Sequence, residues 1–378
     1  MQLQLYSLSN SKKEITFSIN LQNFELSFGL KAEEVVSVFV TASFTLWLKS
    51  DDFEMNIEEK SESHCWSLTK PLSLTQAPGN TGFPEFNFLL FTTDGRAFNI
   101  GAKTPLSKSA AQSYQPCGEV FDNNFVILTD KAFLPEIKNY EEKLLKVQSL
   151  KDYNLKLPQE KARLANVRKV PGSSNLWRGY HPYKKSRPDF DTENTRIKLV
   201  NKALKKNHIK SIITLCGNEE PDKSKKERIS RYVKKIQKAG NQLFIDTSYE
   251  RVYFQSDSQE YGSTVKTIVD FIISHPAPFY IHCRLGSDRT GTMCSILAAL
   301  CGASWQEIIQ DYEKTSRAGF GEFRSYRLLE YSYKKLLGKS PDQCADLQKE
   351  LENYFVQAGI LTIEEIEGLR KKLLTHRP

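Results

Sequence analysis

The residues best suited to chemistry lie in the stretch Phe279-Tyr-Ile-His-Cys-Arg-Leu-Gly-Ser-Asp-Arg-Thr-Gly-Thr-Met293. Five residues separate Cys283 from Arg289, enough for a tight loop between a short apolar strand and an apolar helix that begins at Thr290 or Gly291. Backbone N–H groups that turn inward in such a loop bind a tetrahedral anion. Arg289 can hold two oxygens of that anion, and the positive field favours the thiolate form of Cys283. The stretch therefore predicts an anion site with a sulfur nucleophile.

The pattern His282-Cys283-x-x-Gly286-x-x-Arg289-Thr290-Gly291 resembles the signature loop of the cysteine-dependent tyrosine and dual-specificity phosphatases. The resemblance implies that Cys283 attacks phosphorus, that Arg289 binds phosphate oxygens and that Thr290 hydrogen-bonds the departing thiolate. It implies a structural role for His282, which would fix the loop and favour the thiolate. The expected substrate-binding residues are Arg284, Leu285, Gly286, Ser287 and Gly291.

The general acid is less clear from the sequence. In the family that this loop resembles, an aspartate on a mobile loop ahead of the cysteine donates the proton. Asp257 fits this description best, because it precedes a predicted helix; Asp246 and Glu260 are weaker choices. Asp288 is a further candidate, since an acid directly before the arginine resembles bacterial lipid-acting tyrosine phosphatases and phosphoinositide phosphatases. Arg284 can meet a second phosphate, which also favours a lipid substrate without deciding it.

Composition limits the other classes of function. The net charge of +8 favours anionic substrates, and no nucleic-acid motif accompanies it. Seven cysteines without a CxxC pair suit neither a zinc site nor a disulfide framework. No apolar run is long enough to cross a bilayer, and the first residues lack the pattern of a standard signal peptide. We therefore expect no metal, no cofactor and a reducing, cytoplasmic compartment, with delivery into another cell left open.

The chain is long for one compact core, and we expect four parts: a β-sandwich at 1–130, a charged linker with a helix at 131–161, a phosphatase domain at 162–338 and a helical tail at 339–378. Alternating and β-branched runs separated by turn signals predict the sandwich. Asp94-Gly95 predicts a hairpin between two of its strands. The predicted strands are 14–21, 35–48, 86–93, 96–100 and 124–129.

The N-terminal part also resembles, weakly, the carbohydrate-binding sandwiches of glycogen- and starch-handling proteins. The matching features are Ala42-Ser-Phe-Thr-Leu-Trp47, Trp66, Phe86-Asn-Phe88 and Asp94-Gly95. Ala42 replaces the usual glycine, and the asparagine that precedes the tryptophan in those proteins is absent. Sugar stacking on the indole rings and a docking role for this part both stay open.

Strands that alternate with helices predict an α/β phosphatase domain with a mostly parallel sheet. Asn175-Leu-Trp-Arg-Gly-Tyr-His-Pro182 resembles the entry segment of bacterial dual-specificity phosphatases. Strands are expected at 209–216 and 242–246, ahead of the strand that leads to Cys283. Helices are expected at 195–206, 223–238, 262–274, 292–300 and 320–337, with a capping box at Ser304–Glu307 and two further helices within 341–374.

Together these observations predict a metal-independent phosphomonoester phosphatase with a cysteinyl-phosphate intermediate. Protein phosphotyrosine, or mixed specificity, is the leading substrate class. A phosphoinositide or inositol phosphate is second and a phosphorylated glucan, held with help from the N-terminal part, is third. The alternative from another class is a phospho-ligand scaffold with little turnover.

Overall fold

The computed structural model describes residues 5–26, 30–58, 64–111, 123–129, 135, 137 and 146–375. The chain divides into two compact units, residues 1–143 and 144–378. Much of the predicted 131–161 linker, with its helix, and Cys117 lie outside the described residues.

The first unit contains two antiparallel sheets. Strands β1 (Tyr6–Leu8), β2 (Glu14–Asn20), β5 (Cys65–Pro71) and β4 (Asn56–Ile57) form one sheet in the order β1-β2-β5-β4. Strands β3 (Val35–Ala42), β6 (Glu85–Thr92) and β7 (Ala97–Ile100) form the other, and β8 (Phe125–Val126) pairs with β6. The described helix of this unit is α1 (Lys108–Ala111).

Apolar residues of both sheets share one buried core, so the predicted sandwich is confirmed. The hairpin at Asp94-Gly95 is confirmed as well, with Gly95 at a φ of 81°. The predicted strand 35–48 ends early, at Ala42, because Leu46 and Trp47 adopt the left-handed conformation. Trp66 lies in the core, whereas Trp47 is 39% exposed.

The second unit is built on a five-stranded sheet in the order β12-β11-β13-β10-β9. Its strands are β9 (Arg168–Lys169), β10 (Leu176–Gly179), β11 (Ser211–Thr214), β12 (Gln242–Phe244) and β13 (Phe279–His282). The pairs β10–β13, β11–β13 and β11–β12 are parallel, and β9 is antiparallel to β10. All residues of β11 and β13 are buried, as expected for central strands covered on both faces. The predicted mostly parallel α/β sheet is confirmed.

Helices cover both faces of this sheet. Ile213 and Ile281 belong to one core, and their neighbours Ile212 and Tyr280 belong to the core on the opposite face. The helices of the unit are α2 (Pro158–Ala165), α3 (Glu193–Lys206), α4 (Arg231–Lys238), α5 (Tyr249–Phe254), α6 (Gln259–Ser274), α7 (Asp288–Leu300), α8 (Trp305–Glu313), α9 (Tyr326–Leu337), α10 (Leu347–Gln357) and α11 (Ile363–Leu374). Both predicted tail helices are present, and their buried leucines join the first of these cores.

Two helices begin several residues later than predicted. The helix expected from Lys223 begins at Arg231, where Ser230 accepts a hydrogen bond from the Val233 amide. The helix expected from Phe320 begins at Tyr326, where Ser325 accepts from the Arg327 amide. In both cases the serine cap competes with continuation of the helix. Residues 223–230 and 319–325 are therefore irregular.

Candidate active site

The segment from Cys283 to Arg289, called the Cys283 loop below, joins β13 to α7. The strand ends at His282 and the helix begins at Asp288, two residues before the predicted start. The loop therefore lies at the carboxyl end of a central parallel strand, which is where sheets of this kind usually bind ligands.

Every carbonyl group from Cys283 to Ser287 accepts a hydrogen bond from a group behind the loop. The donors and distances are His282 Nδ1 to Cys283 O (3.0 Å), the His181 amide to Arg284 O (3.1 Å), Asn166 Nδ2 to Leu285 O (2.9 Å), Arg178 Nη2 to Gly286 O (2.8 Å) and the Gly291 amide to Ser287 O (2.6 Å). Within the described part of the chain, the amides of residues 284–289 donate to no protein group. Carbonyls fixed on one side leave these amides free to bind an anion on the other.

Gly286 makes the tight approach of this loop possible. Its φ is 77°, a conformation that favours glycine, and a Cβ at this position would collide with the carbonyl oxygen of Gly179. Because Gly179 ends the neighbouring strand β10, any side chain at position 286 would push the loop away from the sheet.

A buried charge network lies behind the loop. Arg178 is 1% exposed, and its Nη1 lies 2.7 Å from Asp311 Oδ2, while Arg168 Nε lies 2.6 Å from Asp311 Oδ1. Burial alone would raise the pKa of Asp311, but the two guanidinium groups outweigh it and lower that pKa. The carboxylate therefore stays ionised and holds Arg178 against the loop carbonyls.

His282 supports the same loop with a neutral ring. Since a carbonyl oxygen can only accept, His282 Nδ1 carries the proton, and Nε2 accepts from Thr214 Oγ1 at 3.0 Å. Burial lowers the pKa of His282 to about 4. This is consistent with the predicted structural role and argues against proton transfer by this ring at neutral pH.

Cys283, Arg289 and Thr290 meet at the loop. Cys283 is 3% exposed yet lines an open cavity together with Arg289. Arg289 Nη1 donates to the carbonyls of Leu215 (3.3 Å) and Thr247 (3.2 Å), which follow β11 and β12. The buried Thr290 hydroxyl has no hydrogen-bond partner among the described residues.

The cavity has a volume of about 380 Å³ and a strongly cationic lining. Its charged residues are Lys185, Arg187, Lys225, Arg284, Arg289, Arg324, Asp288 and Glu322. Six positive and two negative side chains thus line the cavity, and just outside the lining Glu219 pairs with Arg284 at 2.8 Å and Asp222 with Lys225 at 3.5 Å. The remaining excess of positive charge suits the cavity to an anion.

The model of the tyrosine phosphatase family matches residues 153–375, more than half of the sequence. The chain belongs to this family. Together with the Cys283 loop, the match identifies the protein as a cysteine-dependent phosphatase. The match includes both C-terminal helices, α10 and α11.

Among solved structures, the chain is similar to the core catalytic domain of the PP-IP phosphatase SIW14 from S. cerevisiae, crystallised with citrate. The two sequences are 15% identical, the match covers 56% of this chain and 96% of that one, and the TM-score is 0.28. No protein of the curated set matches the chain.

Of the predicted acids, this phosphatase places only Asp288 in the cavity lining. Asp257 is half exposed, and its carboxylate lies 3.2 Å from Lys335 Nζ on α9. Asp246 and Glu260 are also exposed, although Asp246 directly precedes Thr247, whose carbonyl Arg289 contacts. The carboxyl group that donates the proton therefore stays a prediction, and of the four candidates only Asp288 lies within the Cys283 loop.

Asp288 is held by two donors. Arg324 Nε lies 2.7 Å from Asp288 Oδ1, and the Tyr253 hydroxyl donates to the same oxygen at 3.0 Å. Burial alone would lower the pKa of Arg324, but Asp288 outweighs it and raises that pKa. Arg324 is therefore a permanent positive charge beside the Cys283 loop.

Several cavity residues had no assigned role in the sequence: Lys185, Arg187, Lys225, Glu322 and Arg324. The segments that carry Lys185 and Lys225 are joined by a buried ion pair, in which Lys184 Nζ lies 2.9 Å from Glu227 Oε2. Glu227 also accepts from the amides of Lys185 (2.7 Å) and Asp222 (2.8 Å). Short basic runs at 184–187 and 223–226 are the sequence features that could have indicated these residues.

The described residues contain neither a candidate membrane-spanning helix nor a cluster of metal ligands. None of their helices is both long and apolar enough to cross a membrane. They contain no group of three or more His, Cys, Asp or Glu residues arranged to hold a metal ion. No disulfide joins any two of the six cysteines in the described ranges.

Proposed function

We propose that this phosphatase hydrolyses a phosphomonoester that carries at least one further phosphate, namely an inositol phosphate or the headgroup of a phosphoinositide. The observation that carries the proposal is the lining of the cavity, in which six cationic side chains surround the thiol of Cys283. One phosphate needs only the loop amides and Arg289. The other cations of the lining, several of which are paired with carboxylates, are in addition available to bind further negative charge on the substrate.

In the proposed reaction, Cys283 attacks phosphorus as a thiolate, an S–P bond forms, and the P–O bond to the leaving group breaks. The amides of residues 284–289 and the Arg289 guanidinium neutralise the three equatorial oxygens. The leaving oxygen takes a proton from a general acid, for which Asp288, a carboxyl group of the cavity lining, is the candidate. Water then attacks phosphorus and gives its proton to the carboxylate left by the first step, so that an O–P bond forms, the S–P bond breaks and inorganic phosphate leaves. The Thr290 hydroxyl, which has no partner among the described residues, stabilises the thiolate that departs.

Phosphotyrosine in a protein is the second candidate. The family match favours it, because the family model describes tyrosine phosphatases. A phosphotyrosine substrate would need acidic residues beside it to engage Lys185, Lys225 and Arg187. This requirement separates the two candidates experimentally.

Phosphate release from a panel of substrates tests the proposal. The panel contains para-nitrophenyl phosphate, a phosphotyrosine peptide with and without flanking acids, inositol hexakisphosphate, vesicles with phosphatidylinositol bisphosphate, and phosphorylated glucan. We expect the highest kcat/KM for one of the two inositol-based substrates. A higher value for either peptide would replace the proposal with the second candidate, and turnover that survives Cys283→Ser would refute the mechanism.

The first unit leaves the glucan alternative open. Trp66 lies in the sandwich core, so of the two tryptophans singled out by the sequence only Trp47 offers an exposed ring. Preference for phosphorylated glucan, lost in Trp47→Ala, would assign a carbohydrate role to this unit.

A further inference from the structure

The 319–325 segment, Gly-Phe-Gly-Glu-Phe-Arg-Ser, delivers two side chains of opposite charge to the cavity. Phe320 and Phe323 anchor it, since both are buried, and Phe320 stacks on Tyr180 with ring centroids 5.6 Å apart. Gly319 and Gly321 have φ values of 74° and 72°. The fixed phenylalanines therefore hold the intervening Glu322 and the following Arg324 over the cavity.

Glu322 contacts cations on two sides of the cavity. Its Oε1 is paired with Arg187 Nη2, and its Oε2 lies 3.3 Å from Arg324 Nη2. The side chains of Glu322 and Arg187 are each 29% exposed, whereas that of Arg324 is 14% exposed. A single carboxylate thus bridges two guanidinium groups that both line the substrate cavity.

Both arginines have further contacts that keep them in place without Glu322. Arg187 Nη1 donates to the carbonyl of Ser186 at 3.1 Å. Arg324 is held by Asp288, and its Nη1 donates to the carbonyl of Phe323 at 2.7 Å. Removal of the Glu322 charge would therefore leave two positioned cations in the cavity.

We propose that Glu322 occupies a second anion site of the cavity and that a second phosphate of the substrate displaces it. The inference rests on the function proposed above and adds the residue that sets selectivity. A phosphate group carries about −1.5 to −2 charges and three acceptor oxygens, so it satisfies both guanidinium groups better than one carboxylate. A substrate with a single phosphate makes no use of this site and leaves Glu322 where it is.

The displacement makes Glu322 an internal competitor. An anion with too little charge cannot replace it, which excludes weakly charged ligands from this part of the cavity. Glu322 is exposed enough to rotate away, because its side chain is 29% exposed whereas the neighbouring Phe323 is buried.

The test is the ratio of KM for inositol hexakisphosphate to KM for para-nitrophenyl phosphate, measured in Glu322→Gln and wild type. Glutamine has the same shape without the charge, so we expect the ratio to fall about tenfold, in line with the usual strength of a hydrogen bond to a charged group. Glu160→Gln is the matched control. It removes the same charge from a surface pair with Arg163, at 2.6 Å, and should leave the ratio unchanged.

An unchanged KM ratio in a folded Glu322→Gln variant would overturn the inference, as would a change of KM that is equal for the two substrates. Glu322→Asp retains the charge and should keep the ratio closer to that of wild type. Thermal denaturation checks that each variant folds.

Binding without turnover separates this inference from the proposed function. On the Cys283→Ser background, calorimetric titration with inositol hexakisphosphate should give about tenfold tighter binding when Glu322 is glutamine. If the active enzyme turns over no inositol-based substrate, the proposed function fails, and this titration alone decides the inference. Sedimentation with phosphatidylcholine vesicles that contain phosphatidylinositol bisphosphate shows whether Glu322→Gln also tightens binding of a lipid headgroup.

Discussion

Arg178 Nη2 donates a hydrogen bond to the carbonyl oxygen of Gly286, 2.8 Å away, from a side chain that is 1% exposed. The two residues are more than one hundred positions apart in sequence, and the contact fixes the middle of the Cys283 loop from behind. Asp311 in turn fixes Arg178. The orientation of the anion-binding amides therefore depends on a guanidinium group that cannot itself touch a substrate.

This relationship predicts the effect of Arg178→Lys. An ammonium group cannot contact Asp311 and the loop carbonyls with the same fork. We expect kcat/KM for para-nitrophenyl phosphate to fall about 100-fold, the usual cost of a displacement of about 1 Å at a reacting centre. Arg163→Lys, at a surface pair, is the control. Full activity in a folded Arg178→Lys variant would show that the loop holds its shape without this contact.

Cys283→Ser should abolish turnover and retain binding of a phosphate-bearing ligand, because the loop amides and Arg289 remain. Single-turnover phosphate release and calorimetric titration measure the two effects separately. Cys344→Ser changes a half-buried thiol whose nearest hydrogen-bond partner is the Ser340 carbonyl, so it should keep activity. Residual turnover in Cys283→Ser beyond that of contaminants would contradict nucleophilic catalysis by this residue.

The dependence of the hydrolysis rate on the leaving group identifies the general acid. If Asp288 donates the proton, Asp288→Asn should slow hydrolysis of alkyl phosphates by about 10²–10⁴-fold and that of esters with good leaving groups much less. The same comparison of leaving groups in Asp257→Asn tests the acid that the sequence favoured. In Asp246→Asn it tests the exposed acid next to Thr247. A loss that is equal for all leaving groups in Asp288→Asn would mean that Asp288 acts by holding Arg324.

Stability should fall in acid as a result of the buried His282. Its pKa is about 4 in the folded protein against an ordinary value of 6.5, because burial disfavours the charged ring. Between these values the unfolded chain binds a proton that the folded ring does not, so the free energy of unfolding decreases as the pH falls from 6.5 towards 4. Above pH 6.5 the ring is neutral in both states, and the free energy of unfolding no longer depends on it. The total loss of this free energy on going from pH 6.5 to below pH 4 is about 3 kcal/mol.

Urea denaturation across this range measures the effect. His282→Asn should flatten the pH dependence, although it also removes two hydrogen bonds and so lowers stability at neutral pH. The exposed His208 provides the control, and His208→Asn should keep the wild-type slope. His181, whose pKa burial also lowers, would contribute to any slope that remains in His282→Asn.

The sequence alone determined the Cys283 loop, the mostly parallel sheet behind it and the sandwich before it. These features are local: fifteen consecutive residues contain the nucleophile, the amides, the guanidinium group and the glycine that the backbone requires. The periodicity of the strands and the residue types of the turns likewise depend only on residues close together in the sequence.

Only the tertiary structure decided which distant side chains join that loop. Lys225, Glu322 and Arg324 reach one cavity because serine caps delay the start of two helices and leave irregular segments before them. Asp257 precedes a helix ahead of the cysteine, as expected of the acid, yet its contact with Lys335 holds it on the surface. Spacing along the chain does not encode such contacts, because they depend on how the helices pack across the sheet.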